Sequence, residues 1–284
     1  MKRLIVMLLV FCMMFSATAA AEGEYNWIEG GTTVDLGDIA SIELDPGFIF
    51  LDGEETKRMA QDYGDPISGL EIGSIFPMDE SQTWAVYFDY EETGHIKDDE
   101  KIDADALLKS YQEGTEEANK DLQPSERYYV TGWDIEPFYD EKTNNLTWSL
   151  LLEDANKETF LNYNTRILTR EGNISVILVT DPQNMEANKQ ILDEKILPLL
   201  NIKEGNKYTD FNESTDKVAE YGLSALILGG TGLAVAKKAG LIAVLLAFGK
   251  KFGVLVVAAI VGLWSFIRKK KKNKTSETVE PISE

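Results

Sequence analysis

The feature that most constrains this chain lies near its C-terminus, where sixteen uncharged and mostly apolar residues, 252–267, run directly into a basic cluster, 268–272. An apolar run closed by Lys and Arg is typical of a membrane-spanning helix that ends at the cytoplasmic interface. We therefore predict a transmembrane core at 252–267. The basic cluster then begins a cytoplasmic tail, 268–284, which is basic first and acidic toward its end.

The length of this run decides where the predicted helix begins. At about 1.5 Å per residue it spans roughly 24 Å, which is shorter than the roughly 30 Å hydrocarbon core of a bilayer. Beginning the helix near Leu246 supplies the missing length and places Lys250 and Lys251 near the outer interface, where their stems can snorkel. Residues 219–251 are then predicted to form apolar juxtamembrane helices, either interfacial or packed.

Two topologies fit these apolar runs. A single crossing leaves the main domain outside and the basic cluster inside, as the positive-inside rule requires. A two-crossing hairpin, in which residues 221–236 and a few neighbours also span the bilayer, would carry the basic cluster outside. We expect the single crossing, and the hairpin remains the alternative.

The N-terminus has the three parts of a secretory signal peptide, which we predict over residues 1–21. Lys2 and Arg3 precede an apolar run, 4–15, and small residues follow at 16–21. Cys12 is the only cysteine, and it would be removed with the signal. The predicted mature protein therefore has no thiol, which excludes disulfides, thiolate nucleophiles and cysteine metal sites.

The body of the chain is strongly acidic, whereas its two ends are net basic. The whole sequence carries a net charge of −20, yet residues 22–219 carry −28, from 44 acidic and 16 basic side chains. Such a body repels nucleic acid phosphates and favours cations or basic proteins. We therefore predict a protein partner, contact with the membrane through the C-terminal anchor, and no nucleic acid partner.

The body, residues 22–218, is predicted to be one exported acidic domain of the α+β class. Strand patterns recur at 33–44, 48–51, 84–90, 128–139, 146–152, 160–168 and 174–179. Helices are predicted at 54–63, at 103–119 with Asp103 as N-cap, and at 185–197. Because helices this few cannot alternate with the strands, we expect a largely antiparallel sheet covered by helices, followed by the C-terminal helical membrane module.

The sharpest chemical signal lies at residues 89–100. Oxygen-bearing side chains at its first, third, fifth and twelfth positions, with Gly94 at the sixth, resemble a calcium-binding EF-hand loop. A predicted strand precedes it instead of a helix, so we favour an acidic turn at Thr93 and Gly94. His95, the only histidine, has no recognisable catalytic partner and is expected to be solvated. We therefore assign no catalytic, cofactor-binding or metal-binding residue.

Several segments resemble a bacterial family of membrane-anchored proteins, domain of unknown function 2167. They are residues 36–40, 46–52, 89–94, 161–164, 166–168, 208–211 and 216–222. The resemblance covers nearly the whole mature chain and implies an exported, membrane-anchored bacterial protein with no assigned activity, so it supplies no site residues. In outline, the strand pairs with a late helix also resemble the sandwiched sheets of Mog-type and PsbP-type domains, which would be binding modules.

These observations predict a non-enzymatic protein of the bacterial cell membrane, with a single crossing and an extracytoplasmic main domain. Its predicted role is that of a protein-interaction or envelope-assembly module. Two alternatives remain open. One is a calcium-responsive binding module that uses residues 89–100, and the other is a hydrolase whose paired carboxylates, such as Glu91 and Glu92, converge in space.

Overall fold

The computed structural model describes residues 25–62, 67–120, 122–124, 127–180 and 182–229. The predicted signal peptide, the predicted transmembrane core at 252–267 and the tail at 268–284 lie outside the described residues, as does the part of the predicted juxtamembrane segment beyond Gly229. Among the described residues, no helix combines the length and the apolar character needed to cross a bilayer.

The largest element of the fold is an eight-stranded sheet. Its strands are β1 (Ile28–Glu29), β4 (Phe48–Asp52), β5 (Glu71–Pro77), β6 (Trp84–Glu91), β7 (Tyr128–Asp140), β8 (Asn145–Asp154), β9 (Thr159–Leu168) and β10 (Asn173–Thr180). They are arranged in the order β1-β4-β5-β6-β10-β9-β8-β7, and all neighbours are antiparallel. The predicted α+β domain with a largely antiparallel sheet is therefore confirmed.

A smaller sheet and several helices complete the described part of the chain. Strands β2 (Thr32–Leu36), β3 (Ala40–Leu44) and β11 (Leu200–Ile202) form a three-stranded sheet in the order β11-β3-β2. The α-helices are α1 (Gly53–Asp62), α2 (Ala104–Asn119), α3 (Met185–Ile191) and α4 (Leu223–Ile227). The helix predicted at 185–197 is α-helical only in α3 and continues as a π-helical turn, Leu192–Ile196.

The start of α2 shows why the local sequence forms a helix there. The Asp103 backbone is extended, and its carboxylate accepts a hydrogen bond from the Ala106 N–H at 3.0 Å. This bond satisfies one of the N–H groups that have no partner within the helix, and it contributes about 1 kcal/mol to the stability of the folded protein. The predicted N-cap is therefore confirmed.

Successive side chains of the central strands point to opposite faces of the large sheet, so each face carries part of the hydrophobic core. On one face, apolar side chains such as Phe50, Val86 and Val176 pack against the small sheet and α3, and each is almost completely buried. Burial of a side chain of this size contributes roughly 1.5–3 kcal/mol relative to exposure.

The opposite face has two separate apolar clusters. One lies under α1 near β4 and β5 and includes Leu51, Met59 and Phe76. The other lies under α2 and α4 near β8 and includes Trp148 and Leu150. The start of β6 and the end of β10 contribute Tyr87 and Ile177 to the first cluster, so only the other ends of these strands separate the two helical layers.

Candidate functional site

The loop after β6 holds His95 and pairs with the segment that leads toward the C-terminus. The His95 N–H donates to the Lys217 carbonyl oxygen at 2.8 Å, and the His95 carbonyl accepts from the Ala219 N–H at 2.9 Å. These two bonds form a parallel bridge between His95 and Val218. The chain entering the predicted juxtamembrane segment is therefore joined directly to the domain.

Gly94 permits this close approach. Its φ is +98°, in the left-handed region that side chains disfavour. A Cβ atom at this position would lie 2.8 Å from the Lys217 carbonyl oxygen and 3.0 Å from the Ala219 nitrogen. Glycine is therefore required here for both conformation and space.

The His95 ring is stacked between two aromatic side chains. The Phe211 ring centre lies 3.9 Å away with an interplanar angle of 12°, and the Tyr208 ring centre lies 4.3 Å away at 24°. Two rings stacked at these distances cannot share one side of an imidazole, so they lie on opposite sides. His95 is only 7% exposed, which makes the expectation of a solvated histidine wrong.

The surroundings of His95 favour its neutral form. Burial lowers the pKa of His95, and the Arg170 carbonyl oxygen, 3.2 Å from Nδ1, partly opposes this effect. The nearby carboxylates of Asp98 and Asp216 also oppose it, whereas Lys97 reinforces it. Because burial is the largest of these influences, the ring is neutral at physiological pH.

Arg170 and Asp216 connect the same C-terminal segment to the β9–β10 turn. The Arg170 Nε and Nη2 atoms each donate to one Asp216 carboxylate oxygen, both at 2.7 Å. That carboxylate also accepts from the Asn212 N–H and the Thr215 hydroxyl, both at 2.8 Å. These donors, Arg170 foremost, hold the pKa of Asp216 well below its usual range. We term His95, Arg170, Tyr208, Phe211 and Asp216 the clasp.

The clasp is followed at once by α4, which is packed within the domain. Leu223, Leu226 and Ile227 are at most 2% exposed and belong to the cluster under α2. The Tyr111 hydroxyl of α2 donates to the Ile227 carbonyl. The described start of the predicted juxtamembrane segment, residues 219–229, is therefore packed on the domain.

A polar patch occupies the sheet between the two helical layers. Cross-strand pairing places Asp89 of β6 opposite Ser175 of β10, and Ser175 opposite Arg166 of β9. In the next row of the same face, Glu91 is opposite Asn173. Directly opposed residues of antiparallel strands point to the same face of a sheet. We term these five residues the polar floor.

Arg166 carries the positive charge of the polar floor. Its guanidinium carbon lies 5.3 Å from the Trp148 ring centre, and its Nη1 donates a long hydrogen bond, 3.3 Å, to the Thr165 carbonyl. Within the described part of the chain it forms no ion pair with a carboxylate. Burial lowers the pKa of the guanidinium, and the charges of Asp89 and Glu91 partly oppose this.

Asn173 is the most deeply buried member of the polar floor. Its exposed fraction is 0%, and neither atom of its amide finds a hydrogen-bond partner among the described residues. By contrast, Glu71, which is opposite Asp89 on β5, accepts from the Ser68 N–H at 2.7 Å and the Gly69 N–H at 2.8 Å. A buried amide without partners costs about 1–3 kcal/mol, so Asn173 does not stabilise the fold as Glu71 does.

The structure separates the residues of the predicted calcium loop. Asp89 and Glu91 lie on the polar floor, whereas Glu100 accepts a hydrogen bond from the Ser224 N–H of α4 at 3.1 Å. Throughout the described ranges, no three His, Asp or Glu side chains are grouped so that they could hold a metal ion. Glu92 is exposed beyond the end of β6 while Glu91 is half-buried, so this carboxylate pair does not converge either.

Sequence reasoning missed the partners that define both sites. Arg166 is a charged residue within the strand predicted at 160–168, and this position was the available signal for the polar floor. Arg170 and Asp216 are 46 residues apart in sequence, and no local pattern links them. The segment singled out from the sequence nevertheless contributes to both sites, because Asp89 and Glu91 belong to the polar floor and His95 belongs to the clasp.

Comparisons with known proteins give a family and no activity. The family described as protein of unknown function, DUF2167, matches over residues 28–261. None of the curated proteins matches the chain. The solution structure of cyanobacterial PsbP (CyanoP) from Synechocystis sp. PCC 6803 is similar with a TM-score of 0.36 and 10% identity, covering 64% of this chain and 95% of that one. A likeness at this score carries no argument about function.

Proposed function

The chain belongs to the DUF2167 family, and we propose that it is a non-enzymatic extracytoplasmic module, anchored in the bacterial cell membrane, that binds a protein partner. The clasp is the observation that carries this proposal. It fixes the segment leading toward the predicted anchor to the domain by a stacked histidine, a bidentate ion pair and the buried helix α4. A span that begins soon afterwards holds the domain at the bilayer surface.

The proposed topology follows from the apolar runs and the charge division. Residues 1–21 are a cleaved signal peptide, 252–267 form the core of one C-terminal helical crossing, and 268–284 lie in the cytoplasm. The body with a charge of −28, from 44 acidic and 16 basic residues, then faces the outside. Such a surface attracts a partner that presents a basic face and repels anionic lipid headgroups.

Thiol labelling tests the topology directly, because the mature chain would contain no cysteine. Glu80→Cys places a thiol at an exposed turn of the domain, and Ser283→Cys places one in the tail. We expect a membrane-impermeant maleimide to label Glu80→Cys in intact spheroplasts and Ser283→Cys only after permeabilisation. The unsubstituted chain is the blank. Labelling of Ser283→Cys in intact spheroplasts would contradict the single crossing and support the two-crossing hairpin.

Crosslinking in native membranes tests the interaction itself. We expect one reproducible protein partner whose recovery falls as salt is raised, because exposed charges are screened over roughly 8 Å at physiological ionic strength. The same crosslinking at high salt is the control. Recovery of no reproducible partner at low salt would contradict the proposed role, whatever the labelling shows about topology.

A further inference from the structure

Strand β7 forms one edge of the large sheet, and bulges set the direction of its side chains. Its pairing with β8 shifts at three places, between Val130 and Gly132, between Trp133 and Ile135, and between Ile135 and Phe138. Each bulge inserts an extra residue into β7. Side chains three positions apart in β7, instead of two, therefore point to the same face of the sheet.

The residues that this spacing brings to one face form an apolar surface. β7 contributes Tyr129, Ile135 and Phe138, β8 contributes Leu151, and β9 contributes Leu161, which is directly opposite Leu151. We term these five residues the apolar strip. Ile135 and Leu161 pack against the core cluster under the small sheet and α3, so the strip continues that core toward the edge. Phe138 is 50% exposed and Tyr129 is 41% exposed, so the strip is open to solvent.

Gly132 leaves a space within the apolar strip. It is opposite the half-buried Leu151, and a Cβ atom at Gly132 would meet no described atom within 4 Å. The other face of β7 is covered, because Val130 and Trp133 belong to the cluster under α2 and the Trp133 Nε1 donates to the Ala104 carbonyl at 3.1 Å. β7 is therefore packed on one face and open on the other.

Carboxylates border the apolar strip. β7 contains three acidic residues and neither Lys nor Arg. Asp134 and Glu136, which flank Ile135, are both exposed, and neither forms an ion pair within the described part of the chain. Near the other end of the strip, Lys157 is paired with Glu153 and adds no unbalanced positive charge. Apolar side chains bordered by carboxylates favour a partner that carries apolar and basic side chains together.

A second copy of the chain does not fit this surface. Two β7 edges side by side would bring their carboxylates together, which is unfavourable. The bulges and Pro137 also interrupt the regular backbone hydrogen bonding that addition of another strand requires. The contacts that β7 offers are therefore those of its side chains.

We propose that the apolar strip is the docking surface for the protein partner, and that the partner presents an amphipathic segment in which Lys or Arg flanks apolar side chains. The apolar side chains of that segment pack on Phe138 and Leu151, above Gly132, and its basic side chains pair with Asp134 and Glu136. This inference rests on the proposed function, because it identifies where on the acidic domain the partner binds and which chemistry the partner carries.

Site-specific photocrosslinking of the full chain in native membranes tests the location. Phe138 is replaced by p-benzoylphenylalanine, and the 40% exposed Leu70, next to β5, receives the same residue as the matched control. We expect position 138, and not position 70, to crosslink a protein whose attached peptide carries Lys or Arg beside apolar residues. Crosslinking through position 70 alone, or to a segment without basic residues, would overturn the docking surface.

The chemical crosslinking described above separates the two proposals. If it recovers a partner that position 138 does not capture, the docking surface is wrong and the proposed function stands. If neither method recovers a partner, both proposals are wrong.

Two variants and a control connect docking to the named residues. Gly132→Lys places a positive side chain in the open space, and Asp134→Asn with Glu136→Gln removes two charges while keeping the shape. Each is expected to lower crosslinking from position 138 at least about fivefold. Glu113→Gln with Glu116→Gln removes the same charge from α2, on the opposite face, and should leave the yield unchanged. A melting curve verifies folding, so wild-type yield in either folded variant, or an equal loss in the control, would overturn the proposal.

Discussion

Arg166 and Arg170 lie four residues apart, in β9 and just beyond its end, yet their surroundings are opposite. Arg170 donates to both carboxylate oxygens of Asp216 at 2.7 Å and so holds the C-terminal segment. Arg166 makes one 3.3 Å hydrogen bond to a backbone carbonyl and faces the polar floor. The comparison distinguishes an arginine held by a bidentate ion pair from one held by a contact with the Trp148 ring and by nearby charges.

The difference follows from the physical chemistry of buried charge. Removing a charge from water is costly unless hydrogen bonds and an opposite charge compensate for it. The clasp provides this compensation through one carboxylate that accepts from Arg170, Asn212 and Thr215. Around Arg166 the compensation comes from the charges of Asp89 and Glu91 and from the Trp148 ring, without a bidentate partner.

The largest effect on stability is expected from a substitution in α4, the buried helix that follows the clasp. Leu226 is 2% exposed and packs in the cluster that includes Trp148. Leu226→Ala should lower the free energy of unfolding by about 2–5 kcal/mol, because it leaves a cavity. Urea denaturation measures the loss, and Leu70→Ala, at a 40% exposed position, is the control with less than about 0.5 kcal/mol. Equal losses at both positions would show that α4 is not docked.

A smaller effect is expected where the clasp approaches the loop after β6. Gly94→Ala combines a positive φ with a backbone oxygen at 2.8 Å from the new Cβ, so we expect a loss of about 2–3 kcal/mol. Gly69 also has a positive φ, +82°, but nothing lies within 4 Å of its Cβ position. Gly69→Ala therefore measures the conformational cost alone, about 1–2 kcal/mol. Identical losses in denaturation would mean that the loop and residues 217–219 are not in contact.

Direct replacement of the two arginines sharpens the comparison. Arg170→Gln should lower the melting temperature by several degrees, because it leaves the Asp216 carboxylate without its bidentate partner. Arg166→Gln should lower the melting temperature less, because Arg166 has no bidentate partner and the burial that disfavours its charge offsets part of the attraction to Asp89 and Glu91. Calorimetry of the purified chains gives both values. A loss at Arg166 as large as that at Arg170 would assign both residues the same structural role.

The smallest effect concerns pH and the stacked histidine. Burial places the folded-state pKa of His95 below its ordinary value of 6.5, so the unfolded chain binds more protons as the pH falls below 6.5. Stability is therefore expected to decrease as the pH falls from about 7 to 5, a range in which histidine changes charge. His95→Gln should flatten this dependence in urea titrations at several pH values. An unchanged slope would show that the ring is equally accessible to protons in both states.

Much of the fold could be predicted from local sequence. The strands at 160–168 and 174–179 and the N-cap Asp103 depend on neighbours along the chain, and the structure has them. Strand β5 was missed, because Gly73 and Pro77 weaken its strand pattern. Gly73 is required by packing instead, since a Cβ there would lie 2.6 Å from the Phe50 ring.

The sites could not be predicted in the same way, because they depend on strand order. Asp89, Ser175 and Arg166 become neighbours only when β10 inserts between β6 and β9. His95 was expected to be solvated, since its own loop is polar. The rings that cover it, Tyr208 and Phe211, come more than a hundred residues later in the chain.

The packing of α4 on the domain also limits how far the domain can move away from the bilayer. Under the proposed topology, at most sixteen residues separate Gly229 from the predicted helix start near Leu246. Even a fully flexible chain of that length has a root-mean-square span of only roughly 20–25 Å. The domain then searches a thin layer beside the bilayer, where a partner in the same membrane has a high effective concentration. Partners that diffuse within the membrane plane are thereby favoured over those in the surrounding solution.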